Sequence, residues 1–157
     1  SYPDVNLVSG TVNWEANGYR LPTEAEWEKA ARGGHSNFDY ANGNSITPAN
    51  ANISISNIGK TTPIGSYPAN SFGIYDIIGN LAELVWDRYG AKSYLSSENL
   101  LADPVGISDA SMRVYRGGGY HQYSAPDRDY RIYRRGNETH TEAKVYFGFR
   151  LAIRKPK

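Results

Sequence analysis

Residues 21–33 are the one stretch of this chain that carries a full set of helix signals. Thr23 stands three residues before Glu26, so its hydroxyl can accept from the Glu26 amide while the Glu26 carboxylate reaches back to the Thr23 amide. This capping box satisfies donors that a helix leaves orphaned, and Gly33 supplies a left-handed stop without the penalty of a Cβ. Trp27, Ala30 and Ala31 share one face, which predicts a short helix lying close on a sheet with the indole as its anchor. The helix glutamates are read as architecture rather than catalysis.

Outside that helix the chain favours turns and short strands, with 16 Gly, 13 Tyr and many Asn. Its 157 residues suit one domain, 1–157, with a core of its own. Residues 34–71 read as a long surface excursion with one short strand near Thr62 to Ser66. A turn at Gly79-Asn80 then leads into an alternating stretch, Leu84 and Trp86 on one side, expected as a buried strand at the centre of the core. Met112 to Tyr115 leads into Arg116-Gly117-Gly118-Gly119, where the glycines permit a bulge or a close backbone approach. A phosphate-binding loop would need a helix start after these glycines, which Tyr120-His121-Gln122 does not provide. The alternation of Tyr146, Gly148, Arg150 and Ala152 with Phe147, Phe149, Leu151 and Ile153 predicts a C-terminal strand.

Several function classes fall away. The 17 basic and 16 acidic residues nearly cancel, so no global field holds a polyanion or an anionic membrane. The absence of cysteine removes disulfides, thiolate nucleophiles and thiolate metal sites together. No apolar run approaches the roughly 20 residues that span a bilayer, and Ser1-Tyr2-Pro3-Asp4 does not open a signal peptide. The chain reads as soluble with its compartment open, and display on a cell surface or virion would require an upstream segment. No nucleophile elbow and no carboxylate pair in an apolar frame is present to argue for catalysis.

Three blocks, taken together, resemble a known family: Tyr19-Arg20-Leu21-Pro22-Thr23-Glu24-Ala25-Glu26-Trp27-Glu28, then residues 70–86, then Arg116-Gly117-Gly118 with Gly148-Phe149-Arg150-Leu151. Their order and separation resemble the formylglycine-generating enzymes and sulfatase-modifying factors. The resemblance implies an α+β fold of the C-type lectin type, with few short helices, short antiparallel strands and much irregular loop. It also implies a chain shortened at its N-terminus. The family's enzymes use two cysteines after the Arg-Gly-Gly motif, and counting back from Gly148-Phe149-Arg150 places Gln122 and Asp127 there. Neither side chain forms a thiolate, binds copper(I) through sulfur or makes a mixed disulfide. Formylglycine chemistry, copper and organic cofactors are therefore not expected.

The resemblance further implies one calcium ion, held by the Asp76 and Glu83 side chains with the Gly79 and Leu81 carbonyls. Two carboxylates and two carbonyls supply four of the roughly six to eight oxygens that calcium takes. The alternative is that Asp76 caps the turn while Glu83 forms an ion pair. Iron chemistry, known in ergothioneine-synthesising relatives, lacks a helical histidine pair, since His35, His121 and His140 are scattered.

Residues 119–147 mix Tyr densely with short polar and charged groups, the composition of a paratope, in which large rigid rings and adaptable hydrogen bonds combine. The arrangement resembles the variable proteins of diversity-generating retroelements, whose diversified residues lie between an Arg-Gly-Gly motif and a terminal Gly-Phe-Arg. Tyr130, Ile132 and Tyr146 are expected to pack in the core, and Arg131, Arg135 and Arg150 to be structural. The remaining candidates are ligand-binding: Tyr120, His121, Gln122, Tyr123, Asp127 and Asp129, followed by Tyr133, Asn137, Thr139, His140, Glu142 and Lys144. The expected partner is a protein or small molecule, and interleaved acids at 127, 129, 138 and 142 argue against nucleic acid.

Overall fold

The computed structural model describes residues 17–90, 111–121, 130–139 and 144–153. The helix α1 spans Glu24–Arg32 and starts where the sequence dictates, with the Thr23 hydroxyl accepting from the Glu26 amide at 3.2 Å and the Glu26 carboxylate accepting from the Thr23 amide at 2.8 Å. Gly33 ends it at φ 55°, in the left-handed region. Strand β1 (Tyr19–Arg20) precedes the helix. Strands β2 (Ala82–Arg88), β3 (Met112–Arg116), β4 (Gly136–Thr139) and β5 (Phe147–Gly148) form one sheet in the order β4-β3-β2-β5. Its pairings are antiparallel except β2 with β5, which is parallel. Strand β6 (Ala152–Ile153) returns to pair with β1.

The core gathers between α1, the sheet and the loops around them. Trp27, Val85, Val114, Tyr130 and Ile132 are all fully buried. Because the nine-residue α1 cannot bury enough apolar surface to order the long loops by itself, polar side chains reach inward and bind backbone. Asn70, itself buried, donates to the Ala30 carbonyl at 2.7 Å and accepts from the Phe72 and Ile74 amides. Tyr130 accepts from the Ser54 amide at 2.9 Å and donates to the Gly119 carbonyl at 3.0 Å.

One buried guanidinium joins three elements. Arg116, at the end of β3 and only 1% exposed, donates to Glu24 at 2.9 Å, to Glu28 at 2.6 Å and to the Ile132 carbonyl at 2.5 Å. Its charge also lies 5.1 Å above the Trp27 ring. Arg135 completes the cluster from the strand side by donating to the second oxygen of Glu24 at 2.5 Å. The glycines that follow Arg116 are required by space: a Cβ on Gly117, at φ 82°, would meet the Ile77 carbonyl oxygen at 2.8 Å.

Three expectations need correction. No strand forms over residues 62–66: Pro63 lacks an amide, the Thr62 amide is taken by the Asn80 side chain at 2.9 Å, and Ile64 is 93% exposed. On β2, Leu84 and Trp86 do share a side, but the deeper side carries Glu83, Val85 and Asp87. Apolar alternation pointed to the half-buried face because two of the three inward residues are acids with specific partners. The C-terminal strand is interrupted, leaving β5 and β6 separated by residues 149–151, since Arg150 turns inward to Glu83.

Removing the guanidinium would leave Glu24 with Arg135 and Glu28 with Arg32 as their remaining partners, strip the Ile132 carbonyl of its donor and open a void against Trp27. Arg116→Ala is expected to lose about 3–5 kcal/mol in urea denaturation, and Arg116→Lys to recover little of it, because an ammonium cannot serve both carboxylates and the carbonyl in one plane. An Arg116→Ala variant within about 1 kcal/mol of wild type would contradict this.

Asp87 gives a pH signature. Its carboxylate accepts from the Glu24 amide at 2.6 Å, at the first turn of α1. Burial, opposed by that amide and reinforced by the nearby Glu24 carboxylate, raises its pKa from 3.8 to about 6. A folded-state pKa above the unfolded one means that the proton stabilises the fold: the contribution is full below about pH 4 and is lost as pH rises through about 6. Relative to Asp87→Asn, the wild type should therefore gain on the order of 2 kcal/mol between pH 7 and pH 4. Parallel stability curves for the two proteins would exclude it.

Candidate ligand-binding face

After β3 the chain makes a glycine turn and reaches Tyr120 and His121, both half-buried. Gly118 takes φ 68°, and the Tyr120 amide then donates to the Asn80 carbonyl at 3.0 Å. The His121 ring stacks on Tyr146, with centroids 3.9 Å apart and planes at 21°, while Tyr120 meets it edge-on at 5.5 Å. Tyr146 contacts Phe147 at 4.9 Å, and Phe147 contacts Tyr115 at 5.0 Å. A continuous row of five rings thus links β3, β5 and the chain ends that leave them. Burial lowers the His121 pKa from the ordinary imidazole value, favouring the neutral ring.

The other candidates separate. Tyr133 is 47% exposed and packs with Arg131, whose guanidinium donates to its hydroxyl at 3.0 Å, beside Asp39. Asn137 and Thr139 lie on β4, opposite Val114 and Met112, and point to one side of the strand. Lys144 is half-buried, and its carbonyl accepts from the Phe147 amide at 3.2 Å. Gln122, Tyr123, Asp127, Asp129, His140 and Glu142 lie outside the described residues.

Tyr130 and Ile132 are core residues, as expected, whereas Tyr146 is half-buried and belongs to the ring row at the surface. Sequence reading left Tyr146 and Phe147 out of this face because it placed Tyr146 in the core and read Phe147 only as part of a strand, on which it does lie. Gly136 is a further fixed point: any side chain there would collide with the Tyr115 ring. Arg135 and Arg150 are structural, through Glu24 and Glu83.

Of the residues expected around calcium, the two carboxylates do not fit it. Both Glu83 oxygens are taken, Oε1 by Arg150 Nη2 at 2.5 Å and Oε2 by Arg150 Nε and Trp27 Nε1 at 2.6 Å each. Glu83 is only 8% exposed, so this bidentate pair is what neutralises it in the interior. Asp76 adopts φ 51° and accepts from the Gly65 amide through Oδ2, which is the turn-capping arrangement. Its Oδ1 is buried without a hydrogen-bond partner, but one oxygen is not a calcium shell. Among the described residues no group of three or more His, Cys, Asp and Glu side chains is placed to hold a metal.

A capped helix locked by buried charges to a mixed sheet, with most of the described residues in loops, defines an α+β domain of the C-type lectin type. The sulfatase-modifying factor enzyme 1-like domain family matches residues 7–155, and the chain belongs to that family. It is 34% identical to the formylglycine-generating enzyme of Streptomyces coelicolor over 160 residues, covering 94% of this chain and 50% of the enzyme. It is 43% identical over 111 residues to the serine/threonine-protein kinase pkn1 of Chlamydia caviae, covering 71% of this chain and 17% of that protein. Among solved structures it is similar to Treponema denticola variable protein 1, with a TM-score of 0.82 and 32% identity over 92% of this chain and 50% of that one. The chain thus spans half or less of these relatives' lengths.

Since Glu83 is saturated by Arg150 and Trp27, millimolar calcium or a chelator should move the melting temperature by less than about 1 °C. A rise of several degrees with calcium alone would restore the metal assignment.

Proposed function

We propose that this domain is a non-catalytic ligand-binding protein, a variable protein of the kind that diversity-generating retroelements alter, presenting a Tyr-rich face to a protein or other ligand. The single observation that carries this reading is the likeness to Treponema denticola variable protein 1 across 92% of the chain. The missing cysteines support it from the chemical side. Relatives named formylglycine-generating enzymes share the scaffold, but with no thiol in the sequence this chain has no group to form the thiolate on which their oxidation depends. The division of labour also fits: Arg116, Tyr130, Ile132 and Gly136 hold the frame, while Tyr133 is exposed and Asn137, Thr139 and Lys144 are half-buried, outside the buried core. Acids interleaved with the arginines disfavour nucleic acid as the partner. Among the described residues no helix is long and apolar enough to cross a membrane.

Sequencing the gene's neighbourhood tests this reading. A reverse transcriptase and a second, imperfect copy of the coding stretch that ends at Gly148-Phe149-Arg150 are expected. A sulfatase or biosynthetic cluster in their place, together with aldehyde formation on a sulfatase-motif peptide incubated with this protein, copper and oxygen, would overturn it.

A further inference from the structure

Both ends of the segment that carries the proposed recognition residues return to one turn. The Tyr120 amide donates to the Asn80 carbonyl at 3.0 Å, and two residues further along that turn the Ala82 amide donates to the Tyr146 carbonyl at 3.1 Å. The turn is itself braced from behind. Asn80 sits at φ 61°, its amide donates to the Asn52 carbonyl at 2.7 Å, and its side-chain oxygen accepts from the Thr62 amide at 2.9 Å. Gly79 approaches so closely that a Cβ would fall 2.5 Å from the Asn52 oxygen. Between the two end bonds lies the stack of His121 on Tyr146.

We propose that His121 and Tyr146 are positioning residues whose stacked rings clasp the start and the end of the recognition segment to the Asn80 turn and the start of β2. This rests on reading that segment as a recognition face. The two rings join residues 25 apart in sequence and add an anchor at the segment's ends to those within it, where Tyr130 and Ile132 are buried and β4 pairs with β3. His121 acts here as a flat ring: its Nδ1 is buried without a hydrogen-bond partner, so the imidazole contributes packing and not a specific polar contact through that atom. Gly119 is part of the same fit, since a Cβ there would meet the His121 ring at 3.1 Å.

The role of the ring predicts which substitution is tolerated. In amide hydrogen exchange of the full chain at neutral pH with no ligand added, His121→Ala should speed exchange at both Tyr120 and Ala82 by about threefold to tenfold. The Trp27 amide, bonded to the Thr23 carbonyl inside the helix start, should keep its wild-type rate. His121→Phe should restore protection at both ends, because it keeps the ring and discards the nitrogens. Unchanged protection at Tyr120 and Ala82 in His121→Ala, a parallel acceleration at Trp27, or no recovery in His121→Phe would each overturn the clasp. No ligand enters this experiment, so its failure is separable from failure of the recognition reading.

Discussion

The fold depends on a charge that water never reaches. Arg116 carries a guanidinium into the interior and meets there two carboxylates of α1, a carbonyl of the chain after Tyr130 and the face of Trp27. Desolvating such an ion is costly, and only a nearly complete set of partners offsets the cost. The geometry that supplies them ties α1 to β3 and to the segment that precedes β4. A helix of nine residues would be marginal in isolation, so this lock, with the Trp27 anchor and the capping box, is what holds it. A second lock of the same kind, Arg150 with Glu83, fixes the C-terminal segment to β2. The two clusters meet through the helix, because Trp27 donates to Glu83 while its ring faces Arg116.

Local chemistry was legible in the sequence where one or two residues decide the outcome. Thr23, Glu26 and Gly33 fixed both ends of α1, and the glycines after Arg116 implied a close backbone approach that the structure contains. Long-range polar pairing was not legible. The inward face of β2 carries Glu83 and Asp87, whose partners lie far away in the chain, so an alternation rule that counts apolar residues selected the wrong side. The same blindness joined β5 and β6 into one strand, since nothing local announces that Arg150 must leave the ladder for Glu83. Family resemblance reached further than pattern for the fold; for the metal it gave the Glu83 carboxylate to calcium, whereas here that carboxylate is bound by the Arg150 guanidinium and the Trp27 indole.

The candidate face shows the same split. Composition marked residues 119–147 as tyrosine-rich and adaptable, but it could not separate rings that build the scaffold from rings that project from it. In the structure Tyr130 is a buried bracket between Ser54 and Gly119, Tyr146 and His121 form a stacked pair, and Tyr133 stands out beside Arg131. Gly136 must stay small beneath Tyr115. Rings that build the scaffold and rings that project from it thus lie close together, with the scaffold ones tied to the Arg116 frame or to the Asn80 turn.

The account's central claim is that this frame is energetically independent of the side chains it displays. The direct measurement is the melting temperature of a library in which Tyr133, Asn137, Thr139 and Lys144 are randomised together. Independence predicts that most members unfold within a few degrees of the wild type, since surface substitutions away from caps and buried partners each change stability by about 0.5 kcal/mol or less. Broad, cumulative losses across the library would contradict it and make these residues part of the fold rather than cargo upon it.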